Sequence, residues 1–420
     1  MSNHVPTPNF YTKKNLVLVT ILTISIPFLS YAGGLGIAAI MALCALFGLV
    51  GIWKLCPVST LKNIPPAIWA LMVFLLWAWV SQFWSPWHPK TALGNADKLL
   101  IGVPLYLGCA AMLAAQARLG AMFLPRILTG LVVLGMLAVI YDTLSGYSLT
   151  FLFKPPEPDG DINLRIGDTL QNLGHHVTVL AVLIPPLIVL NWQQGGRNRL
   201  ASVILAPGLL AAGLVTGMNV VVIGVIIAAL AMILTWRWPR LGLSLVFGLS
   251  GCAVLFAPVL GFIARQLGPD IRARLPFSWE ERVATWGYMY DKIMAKPWIG
   301  YGFDAVRTFN DTHTIRGFKN RALVSLHPHN GGLHIWGETG LVGAVLACLA
   351  LFLAWRNLAQ PGRLSRAQSV GLSGLVIMAT LISSLSYGVW QDWWWAIIIF
   401  AGAQITFIPA NPHKYGEIKL

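Results

Sequence analysis

The chain has 420 residues, 56% hydrophobic and only 10% charged, against about 25% charged in a soluble globular domain. That balance excludes a water-soluble enzyme and puts most of the chain in lipid, where backbone amides must be satisfied within helices or closed barrels; without period-2 alternation, the barrel is excluded as well. The net charge of +14 does not point to nucleic acid, because the basic residues sit mainly between apolar runs and no basic-aromatic module accompanies them.

Apolar runs long enough to cross a hydrocarbon core of about 30 Å as helices fall at 16–31, 34–53, 66–84, 98–117, 122–143, 173–191, 199–217, 219–236, 241–262, 332–356, 367–388 and 393–410. The expected class is therefore all-α, a polytopic membrane protein of about twelve transmembrane helices. The first run follows Lys13-Lys14 and leads straight into the second through Ala32-Gly33-Gly34, with no small-residue cleavage site, so no removable signal peptide is expected. The five cysteines lie in or beside apolar runs without zinc-type spacing and read as small packing residues. Lys54, Lys62, Arg118, Arg126, Arg197, Arg199, Arg237, Arg240, Arg356, Arg363, Arg366 and Lys414, with Lys13 and Lys14, fall on alternate connections. The excess of basic residues on cytoplasmic loops then puts both termini in the cytoplasm.

Polar length gathers on the other face, in loops at 85–97, 144–172 and 263–331. The chain thus divides into helices one to nine (1–262), a large outer loop (263–331), and helices ten to twelve with the C-terminus (332–420). In the large loop, Trp279, Val283, Trp286, Met289, Tyr290 and Ile293 recur at helical spacing after Ser278, a candidate N-cap with Glu281 three residues on. This amphipathic helix could lie at the membrane interface or pack on the bundle; Pro297 ends it. Asp159-Gly160 among prolines is turn chemistry.

The loop ends in SLHPHNGGLHIWGETGLVG, residues 325–343. Asn330 can cap the tenth span, which leaves His329 at the outer mouth of the bundle, where a neutral imidazole can take a proton from a hydroxyl. His327, two residues away, is the alternative base, and sequence does not choose between them. His327, His329, His334 and Glu338 are ligand types that zinc accepts, but His334 and Glu338 head down the span while the other two stay in the loop. No metal or other cofactor is expected, and His334 and Glu338 are expected to support the site by hydrogen bonding. The outer loops are rich in arginine, whose forks suit phosphate oxygens. Arg282 and Arg165 are the first candidates, and Arg265, just past the ninth span, is the third. Asp392, in the last outer turn, is a candidate brace. A basic, histidine-bearing patch over a lipid mouth fits a lipid-linked phosphate substrate.

His329-Asn330 followed by Glu338-Thr339-Gly340-Leu341-Val342-Gly343 resembles the signature of the O-antigen ligase and polymerase superfamily, most nearly its ligases. Upstream, Arg282-Val283-Ala284-Thr285-Trp286 and Pro297-Trp298-Ile299-Gly300-Tyr301-Gly302 are similar to the family's arginine-tryptophan and Pro-x-x-Gly-x-Gly elements, and Arg165-Ile166-Gly167 is a looser match. The resemblance implies glycosyl transfer on the periplasmic side of the bacterial inner membrane. It implies an undecaprenyl pyrophosphate-linked glycan as donor and lipid A–core as acceptor, by metal-independent inverting displacement. Under that reading His329 is the base, Arg282 and Arg165 act in catalysis, and Arg265, His327 and Asn330 bind substrate. A polymerase would accept a second lipid-linked repeat unit, and a protein O-glycosylating relative a polypeptide. A transporter is disfavoured, since the halves do not repeat and the charges gather outside rather than mid-span.

Overall fold

The computed structural model describes residues 10–48, 64–155 and 161–410. The Asp159-Gly160 turn, the end of the second expected span, and Lys54, Lys62, Cys56 and Lys414 lie outside the described residues. The chain forms α1 (Phe10–Tyr31), α2 (Gly36–Phe47), α3 (Pro66–Ser81), α4 (Asn95–Arg118), α5 (Phe123–Leu144), a short α6 (Ser148–Phe153), α7 (Ile162–Gln194) and α8 (Asn198–Val215). It continues through α9 (Asn219–Arg237), α10 (Pro239–Leu255), α11 (Ala257–Gln266), a single turn α12 (Pro269–Arg272), α13 (Phe277–Ala295), α14 (Gly331–Leu358), α15 (Arg366–Leu385) and α16 (Asp392–Gln404).

The protein is an all-α polytopic membrane protein, and a helix stands at each of the twelve expected spans. Among the described residues, nine helices are long and apolar enough to cross a membrane, and the pair α10–α11, bent by 58°, makes a possible tenth crossing. The remaining two are short, at 12 residues for α2 and 13 for α16, each roughly 18–20 Å long at 1.5 Å per residue. Pro258 in the first turn of α11 has no amide to extend α10's ladder, which accounts for the bend. α7 is apolar on all sides because it is the central post: 89% of its apolar window is buried, against α1, α5, α8, α15 and α16.

The outer loop departs from expectation in two places. Ser278 does not cap α13, which starts at Phe277 behind Pro276; the Ser278 carbonyl instead accepts a bond from Arg282 one turn later. The apolar stripe of α13 (Val283, Trp286, Met289, Ile293) is buried, and the helix packs on α11 and α14, so packing on the bundle is what that stripe serves. Residues Thr312–Ile315 (β1) and Phe318–Ala322 (β2) form an antiparallel hairpin that the sequence reading did not anticipate. Arg316 and Gly317, both at positive φ, turn it in the manner of a two-residue hairpin loop.

The loop is fastened to the bundle by a break in α14. Gly340 has φ 66° and ψ −165°, a conformation essentially confined to glycine, so the helix is two pieces set end to end. The amides freed at the break pair with residues 297–302: Leu341 donates to Pro297 O (2.8 Å) and Val342 to Trp298 O (3.2 Å). In return Tyr301 donates to Gly337 O (2.9 Å) and Gly302 to Glu338 O (2.8 Å). A Cβ on Gly340 would lie 2.3 Å from Trp298 backbone atoms, and one on Gly300 would lie 2.5 Å from Glu338 backbone atoms. The two glycine motifs of the sequence are thus the two sides of one backbone contact.

Gly340→Ala should therefore cost at least about 3 kcal/mol, combining a glycine-only conformation with a backbone clash, and appear as a large fall in melting temperature in detergent. Gly130→Ala, in a helix interior with open space around it, should change stability by less than about 1 kcal/mol and in the favourable direction.

Candidate functional site

Five segments meet at one end of the bundle. Ser85 Oγ, after α3, donates to Phe303 O (2.7 Å), and Asn95 Nδ2, at the start of α4, donates to Asp304 Oδ2 (2.8 Å). His329 Nδ1 lies 2.7 Å from Ser386 O, and Asn330 Nδ2 donates to Ser384 O (3.1 Å), tying the histidine loop to the end of α15. These segments enclose a cavity of about 420 Å³ whose wall includes Asn95, Lys98, Asp304, Arg307, His327, His334, Trp390, Gln391 and Asp392.

The histidine loop is positioned from both sides. Asn330 Oδ1 accepts from Leu333 N (2.8 Å), the expected cap that starts α14. From α13, Trp286 Nε1 donates to Pro328 O (3.0 Å) and Thr285 Oγ1 to Leu323 O (2.6 Å). The Arg-x-x-Thr-Trp element therefore holds the chain between the two histidines, a role for Trp286 that its place in an apolar stripe concealed. His329 is at φ 53°, an uncommon conformation for a non-glycine residue. It sets the two rings edge to face with centroids 4.5 Å apart.

Their hydrogen bonds assign opposite tautomers. A carbonyl oxygen only accepts, so neutral His329 carries its proton on Nδ1, facing Ser386 O, and keeps a lone pair on Nε2. The Nδ1 of His327 accepts from His329 N (3.3 Å), which puts the His327 proton on Nε2. His329 thus keeps an acceptor nitrogen, while the ring on the cavity wall, His327, carries an N–H donor. Burial lowers the pKa of both. His327 is taken well below its ordinary 6.5, with the charges of its histidine neighbours, Arg307 and Arg282 adding to the effect. His329 is also lowered by burial, against the opposite pull of its bond to Ser386 O. Both rings are neutral at neutral pH.

Below them, Glu338 is fully buried and accepts from Asp304 N (2.8 Å) and Val306 N (3.0 Å). His334 Nε2 lies 3.3 Å from Glu338 Oε1, as expected from their one-turn spacing. These bonds fix residues 304–308 so that Arg307 reaches the cavity, its Nε donating to Asp304 Oδ1 at 2.9 Å. Burial and the nearby Glu338 raise the pKa of Asp304, while Arg307 pulls it the other way; the wall thus holds two carboxyls, Asp304 and Asp392, and two cations, Lys98 and Arg307. Neither cation was singled out in the sequence. Lys98 reads as the start of a span, and Arg307 is one of several loop arginines.

The expected arginines separate. Arg282 acts electrostatically on both histidines, its guanidinium lies over the Trp279 ring, and its buried Nε has no hydrogen-bond partner among the described residues. Glu280 and Glu281, its neighbours on α13, bind Arg316 and Arg321 instead. Arg165 donates to Lys154 O (2.7 Å) and also keeps a buried, unpartnered Nε. Arg265 is paired with Asp291 of α13 at 2.8 Å, with both side chains half exposed. Asp392 makes no ion pair among the described residues; its Oδ1 accepts from Trp393 N (2.7 Å) at the start of α16, and its side chain lines the cavity. Among the described residues, no three His, Cys, Asp or Glu side chains are grouped to hold a metal ion.

Residues 200–348 match the family model described as O-antigen ligase. A protein of Rickettsia typhi provisionally named a polysaccharide ligase is 32% identical over 141 residues, which is 31% of this chain and 34% of the relative. A likewise named protein of Rickettsia bellii is 32% identical over 170 residues, 37% of this chain and 40% of the relative. The matched segments thus span about a third to two fifths of these relatives' length. The superfamily resemblance read from the glycine and histidine motifs agrees with these matches, and residues 200–348 are similar to the O-antigen ligase family.

The depressed histidine pKa values predict a pH dependence of stability. Below 6.5 the unfolded chain binds protons that the folded histidines refuse, so stability is full above that pH and falls as pH drops towards the folded pKa values. The melting temperature should decline between about pH 7 and pH 5, and His327→Gln should flatten that slope.

Proposed function

We propose that this protein transfers a glycan from a polyprenyl pyrophosphate carrier to lipid A–core on the periplasmic side of the bacterial inner membrane, as an O-antigen ligase does. The observation that carries the reading is a pair of neutral imidazoles of opposite tautomer: His327 lies on the wall of a cavity that also holds Lys98 and Arg307, and His329 packs against it with ring centroids 4.5 Å apart. The similarity of residues 200–348 to the O-antigen ligase family model supports it.

In this reading the Nε2 lone pair of His329 removes the proton of the acceptor hydroxyl as its oxygen bonds to the anomeric carbon. The bond from that carbon to the pyrophosphate oxygen breaks, and its electron pair leaves with the carrier, so a single displacement inverts the anomeric configuration. His327 offers its Nε2–H within the cavity. Arg282, with a desolvated and unpartnered Nε beside the histidines, and Arg307 on the wall stabilise the charge that grows on the leaving pyrophosphate. Arg165, with its own unpartnered Nε at the start of α7, is a further phosphate ligand. No nucleotide sugar or metal has a part in this displacement.

The test is transfer between purified lipid-linked glycan and lipid A–core in detergent. His329→Ala should lower the rate about 10²–10⁴-fold, the usual cost of a positioned base, while the variant keeps its melting temperature within a few degrees. Arg282→Lys should also lose rate, since the fork is lost while the charge stays. Near-normal transfer by folded His329→Ala would remove the base. Transfer to a second repeat unit but not to lipid A–core would make the protein a polymerase.

A further inference from the structure

α14 runs for 28 residues away from the histidine end, about 40 Å at 1.5 Å per residue, so its far end lies a bilayer away. There a second cavity, of about 510 Å³, opens between the α9–α10 junction and the α14–α15 connection. Its wall combines Arg237, Trp238 and Arg240 with Leu243, Leu358 and Leu364, and among the described residues it includes no carboxylate.

The arginines here differ from four of those at the outer end. Arg265, Arg307, Arg316 and Arg321 each pair with an acid. Arg237 and Arg240 make no ion pair among the described residues; Arg237 lies 5.0 Å over the Trp238 ring, and Arg366, which opens α15, lies 5.9 Å over Trp236. Pro239 occupies the first turn of α10, and no side chain caps that helix, so its first amides point out without an intrahelical partner. Trp236 and Trp238 are half exposed, as tryptophans at a membrane–water boundary are.

From this we propose that the cavity binds the headgroup of an anionic glycerophospholipid. The Arg237 and Arg240 guanidiniums and the first amides of α10 hold the phosphate, and the leucines and tryptophans lie along the glycerol and acyl chains. Two exposed cations with no ion-pair partner among the described residues favour an anion, and the apolar part of the same wall favours one with a hydrocarbon tail over free phosphate. The site is separate from the transfer chemistry and does not depend on it.

Native mass spectrometry on the full chain, delipidated in detergent, tests the assignment. Phosphatidylglycerol should be retained in preference to phosphatidylethanolamine, and inorganic phosphate at equal concentration should neither bind nor displace it. Arg237→Gln with Arg240→Gln should weaken phosphatidylglycerol binding at least about tenfold. Arg237→Lys with Arg240→Lys, which keeps the charge, should hold it within about threefold and keep the rise in melting temperature that the lipid confers. Equal retention of the two lipids, unchanged binding by the glutamine variant, equal loss in both variants, or displacement by inorganic phosphate would each overturn it.

Discussion

A carboxylate with no exposure to solvent must find its hydrogen bonds inside the protein, and Glu338 takes them from the amides of Asp304 and Val306. It sits two residues before the break at Gly340, where residues 297–302 lie against the opened helix. The membrane helix and the outer loop are therefore held by the same few residues. Each side satisfies polar groups that the other would leave buried and unpaired, which makes the contact costly to breach. Arg307 reaches the cavity because this contact fixes the turn that carries it.

The same logic extends to the histidines. Trp286 from α13 and the backbone of Ser384 and Ser386 from the end of α15 hold residues 328–330 from opposite sides. Each imidazole then has one nitrogen committed to the backbone, and the remaining nitrogen of each ring is defined as donor or acceptor before any substrate arrives. Preorganisation of this kind avoids the cost of reorienting dipoles during reaction. Burial lowers both pKa values and so favours neutral rings, as the proposed role of His329 requires.

Much of this was legible in the chain itself. Composition fixed the helical membrane class, and runs of apolar residues located every major helix, because hydrocarbon imposes one secondary structure on a crossing segment. The Asn330 cap and the His334–Glu338 pairing follow from spacing along one helix, so they could be read locally. What escaped was set by distant contacts. Arg265 reads like the other loop arginines until Asp291 is found beside it, and Lys98 and Arg307 gain meaning only when α4 and the 304–308 turn are brought together. The hairpin at 312–322 has no apolar alternation to announce it, since β2 is exposed throughout. Trp286 looked like one more member of a packing stripe, though its indole nitrogen does the positioning.

The most direct measurement of the central claim is a double-mutant cycle on glycan transfer with Glu338→Gln, Arg307→Ala and the pair, each checked for folding by size exclusion. If Glu338 acts by aiming the turn that bears Arg307, the second substitution adds little once the first is made, and the coupling approaches the smaller single effect. Losses that multiply independently would contradict the account.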